Sequence, residues 1–471
     1  MKRPAAILFT LAVSACANRA PYHAPAPPET PSAFRETADW KSAQPADHTI
    51  RGAWWELFDD PQLNALETQI DVNNETLKAQ HARFLQARAA IGAARANGYP
   101  QITSAPSITR TRTSGNRPEA TQHQGNADFL LPVDASYEAD VWGRIRGIVA
   151  SARATAQASA ADLETVRLSL HAELALDYFE LRGIDAERQI LEQAVTAYER
   201  ALELTRARFT GGIASQADVA QAETQLETTR AQGADLLVRR TALEHAIAVL
   251  AGKPPASLQL GPLPLTAEPP AIPGGLPADV LERRPDIAGA ERRVAAANAD
   301  FGVARAAFFP RLLLTASAGF ESSSLGTWLS GLSTFWSAGP AAVATIFDGG
   351  RRRSVSDQAR AEYEATVADY RATVLTAFQE VEDNLAALRI LRQEADIQAA
   401  AVAAADRSLA LATNRYRGGV ASYLEVISAQ NAALTSQRTA VTILSRRLSA
   451  SVLLIKALGG GWTRQSLIPG P

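Results

Sequence analysis

The residues able to do chemistry are few and scattered. Six histidines stand at positions 23, 48, 81, 123, 171 and 245, and no two share a helix face at metal-ligand spacing. Cys16 is the only cysteine, so no intrachain disulfide can form. The sequence contains no nucleophile elbow, HExxH pair, Ser-x-x-Lys motif or phosphate-cradling glycine loop, so an enzyme would lack its convergent polar site. What recurs is ionic chemistry beside two glycine pairs. Asp218 follows Gly211-Gly212 and Glu425 follows Gly418-Gly419, with Arg208, Arg415 and Arg417 a turn or two away. These arginines can pair with the acids. Equally, the acids can be exposed residues near helix N-termini, where the macrodipole favours negative charge.

The elements that carry these residues are repeated. Arg208-Phe209-Thr210-Gly211-Gly212-Ile213-Ala214-Ser215 returns 207 residues later as Arg415-Tyr416-Arg417-Gly418-Gly419-Val420-Ala421-Ser422. Gly143-Arg144 returns as Gly350-Arg351 at the same offset, and Gly98-Tyr99-Pro100-Gln101-Ile102 matches Phe308-Phe309-Pro310-Arg311-Leu312. Length alone allows about three domains, but these ordered landmarks divide the chain into two copies of one unit. Copy one is expected over 51–252 and copy two over 277–458, with a Pro/Gly-rich joint at 253–276 and a tail at 459–471.

Each copy has the same predicted order. A helix near 60–97 or 277–307 stops at Pro100 or Pro310. Two strands follow, near 102–113 and 126–137 in copy one and near 312–322 and 333–347 in copy two. In copy two, Leu312, Leu314, Ala316, Ala318 and Phe320 alternate with mostly small or polar residues, which suits a strand between two different media. A proline-free helical hairpin comes next, at 144–252 and 351–458. Its first arm has 67 residues in both copies, roughly 100 Å of helix. The glycine pairs end these arms, and Ser215 and Ser422 are placed to cap the return arms.

Hairpins this long cannot bury their apolar stripes in a compact globule. Four strands cannot close a membrane barrel, since closed barrels begin at about eight strands. Several chains around one axis resolve both problems, with strands closing a barrel and helices closing a tube. Trp328, Phe335 and Trp336 can form an interfacial girdle or pack in a core, while Trp54, Trp55, Phe58 and Trp142 are expected to pack. The near balance of 47 basic and 49 acidic residues argues against a nucleic-acid partner.

The start of the chain sets the compartment. Lys2 and Arg3 precede an apolar run, then Val13-Ser14-Ala15-Cys16. This reads as a signal peptide over 1–15, too short to span a bilayer. It resembles a bacterial lipobox, which implies a covalent lipid on Cys16; the alternative is an ordinary signal peptide with an incidental cysteine. Ala17, being non-acidic, then implies transfer to the outer membrane. Residues 16–50, rich in Pro and Ala, would serve as an extended tether.

The lipobox, the duplicated unit and the run Tyr416-x-x-Gly419-Val420-x-Ser422-Tyr423-Leu424-x-Val426-x-x-Ala429-Gln430 together resemble the outer-membrane factors of tripartite efflux pumps, most closely their NodT-type lipoprotein branch. Trp54-Trp55-x-x-Phe58-x-Asp60-Pro61-x-Leu63, Arg283-Arg284-Pro285-Asp286-Ile287 and Asp348-Gly349-Gly350-Arg351 carry the same likeness, which covers roughly 50–460. The resemblance implies a mixed membrane protein: a homotrimer whose four strands per chain make a 12-stranded outer-membrane β-barrel, continued by a periplasmic α-helical barrel. It implies a passive, gated exit duct with no cofactor beyond the lipid, and no enzyme. The implied partners are a periplasmic adaptor (membrane fusion protein), an inner-membrane RND-type transporter and outer-membrane lipid. By this resemblance Asp218, Glu425 and Ser428, with Arg208, Arg415 and Arg417, would form a periplasmic constriction, and Gly211, Gly212, Gly418 and Gly419 would present the tips to the adaptor. The family often has Asp where this chain has Glu425 and Ser428, so the ring carries at most half the usual charge. A type I secretion duct and a lipid-tethered periplasmic coiled-coil scaffold are the rival readings.

Overall fold

The computed structural model describes residues 22–30, 34–35, 52–112, 114, 126–270, 272 and 283–461. Cys16, the signal segment and most of the expected tether lie outside them. Among the described residues the order is α1 (Pro61–Asn73), α2 (Glu75–Ala96), β1 (Gln101–Thr103), β2 (Ser107–Thr111), β3 (Asn126–Ala139), α3 (Arg144–Thr210), α4 (Gln216–Leu250), α5 (Pro285–Ala306), β4 (Arg311–Ser322), β5 (Thr334–Val343), α6 (Arg351–Arg417) and α7 (Tyr423–Ala457). The long arms α3 and α6 begin and end where the glycines predict. Two compact units result. One holds 22–26, 83–159 and 289–370; the other holds 27–82, 160–288 and 371–461 where described.

The first unit contains one antiparallel sheet, ordered β1–β3–β4–β5, with β2 also paired to β3. The single strand expected at 102–113 is two strands. β1 pairs with 134–136 and β2 with 126–130 on the same edge of β3. Pro106, lacking an N–H, falls in the gap, where Ser104 Oγ instead donates to Pro132 O at 2.6 Å. The sheet is therefore four strands across. β5 stops at Val343 rather than 347 because its partner β4 starts at Arg311, just past Pro310.

Register sorts the side chains by face, since directly opposed residues share one. Leu131, Val133, Ala135, Tyr137 and Ala139 of β3 stand opposite Phe320, Ala318, Ala316, Leu314 and Leu312 of β4. The last four of these meet Trp336, Ala338, Pro340 and Ala342 of β5. Ile102 and Ile108 extend this apolar face, at 70% and 65% exposure. The other face is mixed: Asp134, Ser136, Glu138, Thr315, Ser317, Glu321 and Ser337 share it with Leu130, Leu313 and Phe335, which puts Phe335 on the face opposite Trp336. The apolar rows run about 27 Å along β4. Trp336 is exposed on the apolar face, whereas Trp328 packs on Phe129 with ring centroids 5.6 Å apart.

The strand-to-helix corners repeat. Asp140 accepts from the N–H groups of Ile145 and Arg146, and Asp348 from those of Gly350 and Arg352, so each caps a long helix. Trp142 packs as expected, stacked on Phe309 with its Nε1 donating to Pro310 O at 2.7 Å.

In the second unit, the helix expected over 60–97 is broken at Asn74. Its amide donates to Leu250 O, and its oxygen caps Leu77 N–H. Asp60 caps α1 and accepts from Tyr178 Oη at 2.7 Å. Trp54, Trp55 and Phe58 are buried, with Phe58 on Phe179 and Trp55 stacked on His171. The joint between the copies is not loose where described. Arg182 donates to Gly261 O, Arg240 to Leu260 O, and Asp185 and Glu244 accept from the N–H groups of Leu263 and Leu260. These buried charges satisfy a backbone that has no ladder of its own.

Glu67 lies fully buried, 2.7 Å from His171 Nδ1. Burial pushes its carboxyl up to about 7, against the lowering effect of the His171 hydrogen bond. The folded chain thus holds this proton more tightly than the unfolded chain does. The resulting stability is complete below about pH 4.5 and is lost as pH rises through about 7. Glu67→Gln, neutral throughout, removes that dependence. The wild-type melting midpoint is expected to fall relative to the variant's across this window, and parallel curves would contradict the assignment.

Candidate functional site

The hairpin tips lie in the second unit and are built alike. Gly211 N–H bonds Ala207 O, Gly212 N–H bonds Phe209 O and Ile213 N–H bonds Arg208 O. The second tip repeats this with Gly418, Gly419 and Val420. Only the second glycine of each pair needs to be glycine. Gly212 has φ +74° and Gly419 φ +77°, the left-handed cap in which a Cβ clashes with its own backbone. Ile213 and Val420, just beyond, are 75% and 69% exposed. Each tip thus ends in an uncovered apolar side chain.

The return arms differ. Ser215 caps α4 in a full capping box, with Oγ accepting from Asp218 N–H and the Asp218 carboxylate accepting from Ser215 N–H at 2.9 Å. Ser422 stands at the N-cap of α7, as expected, but makes no side-chain cap bond. Asp218 is therefore an N-terminal capping acid, and no arginine among the described residues is bonded to it. Glu425 does take an arginine: its Oε2 lies 3.0 Å from Arg415 Nη1, both groups being about half exposed. Ser428 Oγ turns back onto Leu424 O, four residues earlier, and links no second helix.

Arg208 departs most from the sequence reading. Its guanidinium bonds no acid but donates to the carbonyls of Tyr416 at 2.7 Å and Arg417 at 2.8 Å, while lying 4.5 Å from the Tyr416 ring centroid. It closes the C-terminus of α6 from the end of α3, satisfying carbonyls that have no helical partner. Arg417 enters through its carbonyl, and none of the salt bridges among the described residues uses its side chain.

Beneath this clamp is a shared core. Tyr198 and Leu202 of α3, Ala222 and Leu226 of α4, Tyr416 of α6, and Tyr423 and Val426 of α7 form one buried cluster. The Tyr416 and Tyr423 rings are 5.3 Å apart, and Thr205 Oγ1 lies 3.3 Å from Tyr416 Oη. Burial pushes the Tyr423 hydroxyl up to about 12. Gln225 Nε2 donates to Asn431 Oδ1 at 2.8 Å, joining the two return arms. Sequence reasoning missed Thr205, Tyr416, Tyr423, Gln225 and Asn431 as a lock. Their helical spacing marks buried faces, but which helix faces which is not encoded in spacing. Among the described residues no group of three His, Cys, Asp or Glu converges on a metal-sized site, and no helix is long and apolar enough to cross a membrane.

Gly419→Ala is expected to destabilise the tip by about 1 kcal/mol, through the left-handed cap. Gly418→Ala, at an ordinary backbone angle, is expected to cost less. Equal proteolytic sensitivity of the two variants near residue 419 would contradict this geometry.

Comparison with known proteins agrees with the overall fold. The family model described as outer membrane efflux protein matches residues 67–253 and 276–460, one match for each copy. The antibiotic efflux pump outer membrane protein ArpC of Pseudomonas putida is 33% identical over 98% of this chain and 96% of its own. Among solved structures, the outer-membrane channel OprN superposes with TM-score 0.86 at 29% identity, covering 94% of this chain and 98% of that one. The open state of the MtrE outer membrane channel of Neisseria gonorrhoeae superposes with TM-score 0.81 at 28% identity, covering 94% and 98%. With both copies matched and the sheet, long arms and glycine tips in place, the chain belongs to the outer membrane efflux protein family.

Proposed function

We propose that this chain is the exit duct of a tripartite, RND-type efflux system, working as a homotrimer. Four strand positions from each of three chains would make a 12-stranded barrel in the outer membrane, and the long helices a periplasmic tunnel. The observation that carries this is the two-faced sheet with two open edges. One face is apolar over about the height of a membrane barrel's band, and the other is polar enough to line water. A lipid on Cys16 would add a second anchor to the same membrane. Drugs or other small molecules are the proposed cargo, in keeping with the antibiotic efflux named for ArpC. Motive force comes from an inner-membrane transporter joined through a periplasmic adaptor, and the exposed Ile213 and Val420 suit the tips to that contact. An exit duct for secreted proteins is the second reading, and the identity to ArpC favours small molecules.

The tips act as the gate. Arg208 ties one hairpin to the other through two carbonyls, and the Arg415–Glu425 pair braces the second hairpin. Opening requires these to part. The open state named for MtrE, on the same fold, supports a gate that moves.

Single-channel conductance in planar bilayers tests both levels. The wild type is expected to show small openings. Arg208→Ala, which frees the carbonyls of Tyr416 and Arg417, is expected to enlarge or prolong them several-fold. Glu425→Ala is expected to reduce any cation preference. Openings unchanged in both variants would keep the duct and discard the gate; absence of conductance in all three would contradict the duct.

A further inference from the structure

A groove of about 680 Å³ lies at the strand-to-helix corner of the first unit, lined by Arg95, Gly98 and Tyr99 at the end of α2 and by Ile145, Arg146, Val149, Ala150 and Arg153 at the start of α3. Its charge is lopsided. Arg146 is held by Asp140, donating to the carboxylate and the carbonyl at 3.2 Å. Arg95 and Arg153 are exposed and have no acidic partner among the described residues. Val149, Ala150 and Ile145 give the groove an apolar wall, and Tyr99, 71% exposed, stands beside it. Two residues separate Tyr99 from Ile102, the first member of the apolar sheet face at this end.

We propose that this groove binds the headgroup of an anionic phospholipid of the leaflet that meets the periplasmic end of the barrel. The chemistry fits on three counts. Unneutralised guanidiniums match a phosphate, which they can bond through two N–H groups. The apolar wall accepts the first part of an acyl chain. An exposed tyrosine next to an apolar band sits where aromatic side chains favour the membrane–water boundary. Basic pockets between helices at a membrane surface hold such headgroups in this way. A free phosphate would use the guanidiniums alone and leave the apolar wall wet. The inference rests on the apolar sheet face lying in lipid, as proposed above.

The test uses the full-length, lipidated protein, stripped of native phospholipid in detergent. Soluble dihexanoyl-phosphatidylglycerol is titrated and retained lipid counted by native mass spectrometry, with dihexanoyl-phosphatidylcholine and inorganic phosphate as comparison ligands. The wild type is expected to retain phosphatidylglycerol in preference to phosphatidylcholine. Arg95→Gln with Arg153→Gln is expected to weaken that retention by about tenfold or more. Arg200→Gln with Arg407→Gln removes the same charge elsewhere and is expected to leave it intact at an unchanged melting midpoint. Equal retention in the two double variants, equal retention of both lipids, or full displacement by inorganic phosphate would each overturn the headgroup site. Failure of the protein to float with phosphatidylglycerol–phosphatidylcholine vesicles would instead overturn the membrane placement of the sheet, a result read separately from headgroup selectivity.

Discussion

A strand edge in hydrocarbon has no water to bond, and this constraint governs the molecule. Each unpaired N–H or C=O there costs several kcal/mol. The sheet has two such edges among its described strands, one formed by β1 and β2 and the other by β5. A soluble protein blunts exposed edges with charge, proline or a covering helix. Here β5 carries one proline, Pro340, but no charged residue, and Trp336 projects from it at 80% exposure. The proposed duct meets both at once, because pairing with further copies inside a membrane would cover the exposed apolar face and close the open edges. The long helices meet the same requirement, because stripes that run the length of a 67-residue helix find partners only alongside.

Much of this was legible in the sequence because it depends on local geometry. Proline ends a helix, glycine permits a left-handed cap, and alternation marks a two-faced strand, so α3, α6, β4 and both tips fall where expected. The departures have equally physical causes. Pro106 splits the first strand by removing a ladder donor, and Asn74 splits the first helix by capping a new one. The joint after Lys253 reads by composition only as a Pro/Gly-rich connection, and Arg182, Asp185, Arg240 and Glu244 bind its backbone from two helices. Composition carries no information about contacts from so far along the chain.

The tips show how a duplicated sequence is used unequally. Arg208 and Arg415 occupy the same place in the repeat. One reaches across to the carbonyls of the other hairpin, and the other stays within its own hairpin on Glu425. Ser215 builds a capping box and Ser422 does not. The first tip thus has a side-chain cap of its own, while the second has the Arg415–Glu425 pair and the two bonds from Arg208. Such asymmetry shows that equivalent residues of the two copies make different contacts.

Edge-to-edge closure is the claim on which the duct depends, and disulfide trapping in intact membranes measures it directly. One cysteine is placed within Ser107–Thr111 and one within Thr334–Val343, over a set of registers, with Cys16 left in place. Closure by three copies predicts oxidised products that rise through two chains and stop at a circular species of three. Chains that remain single at every register, or a ladder that continues past three, would contradict it.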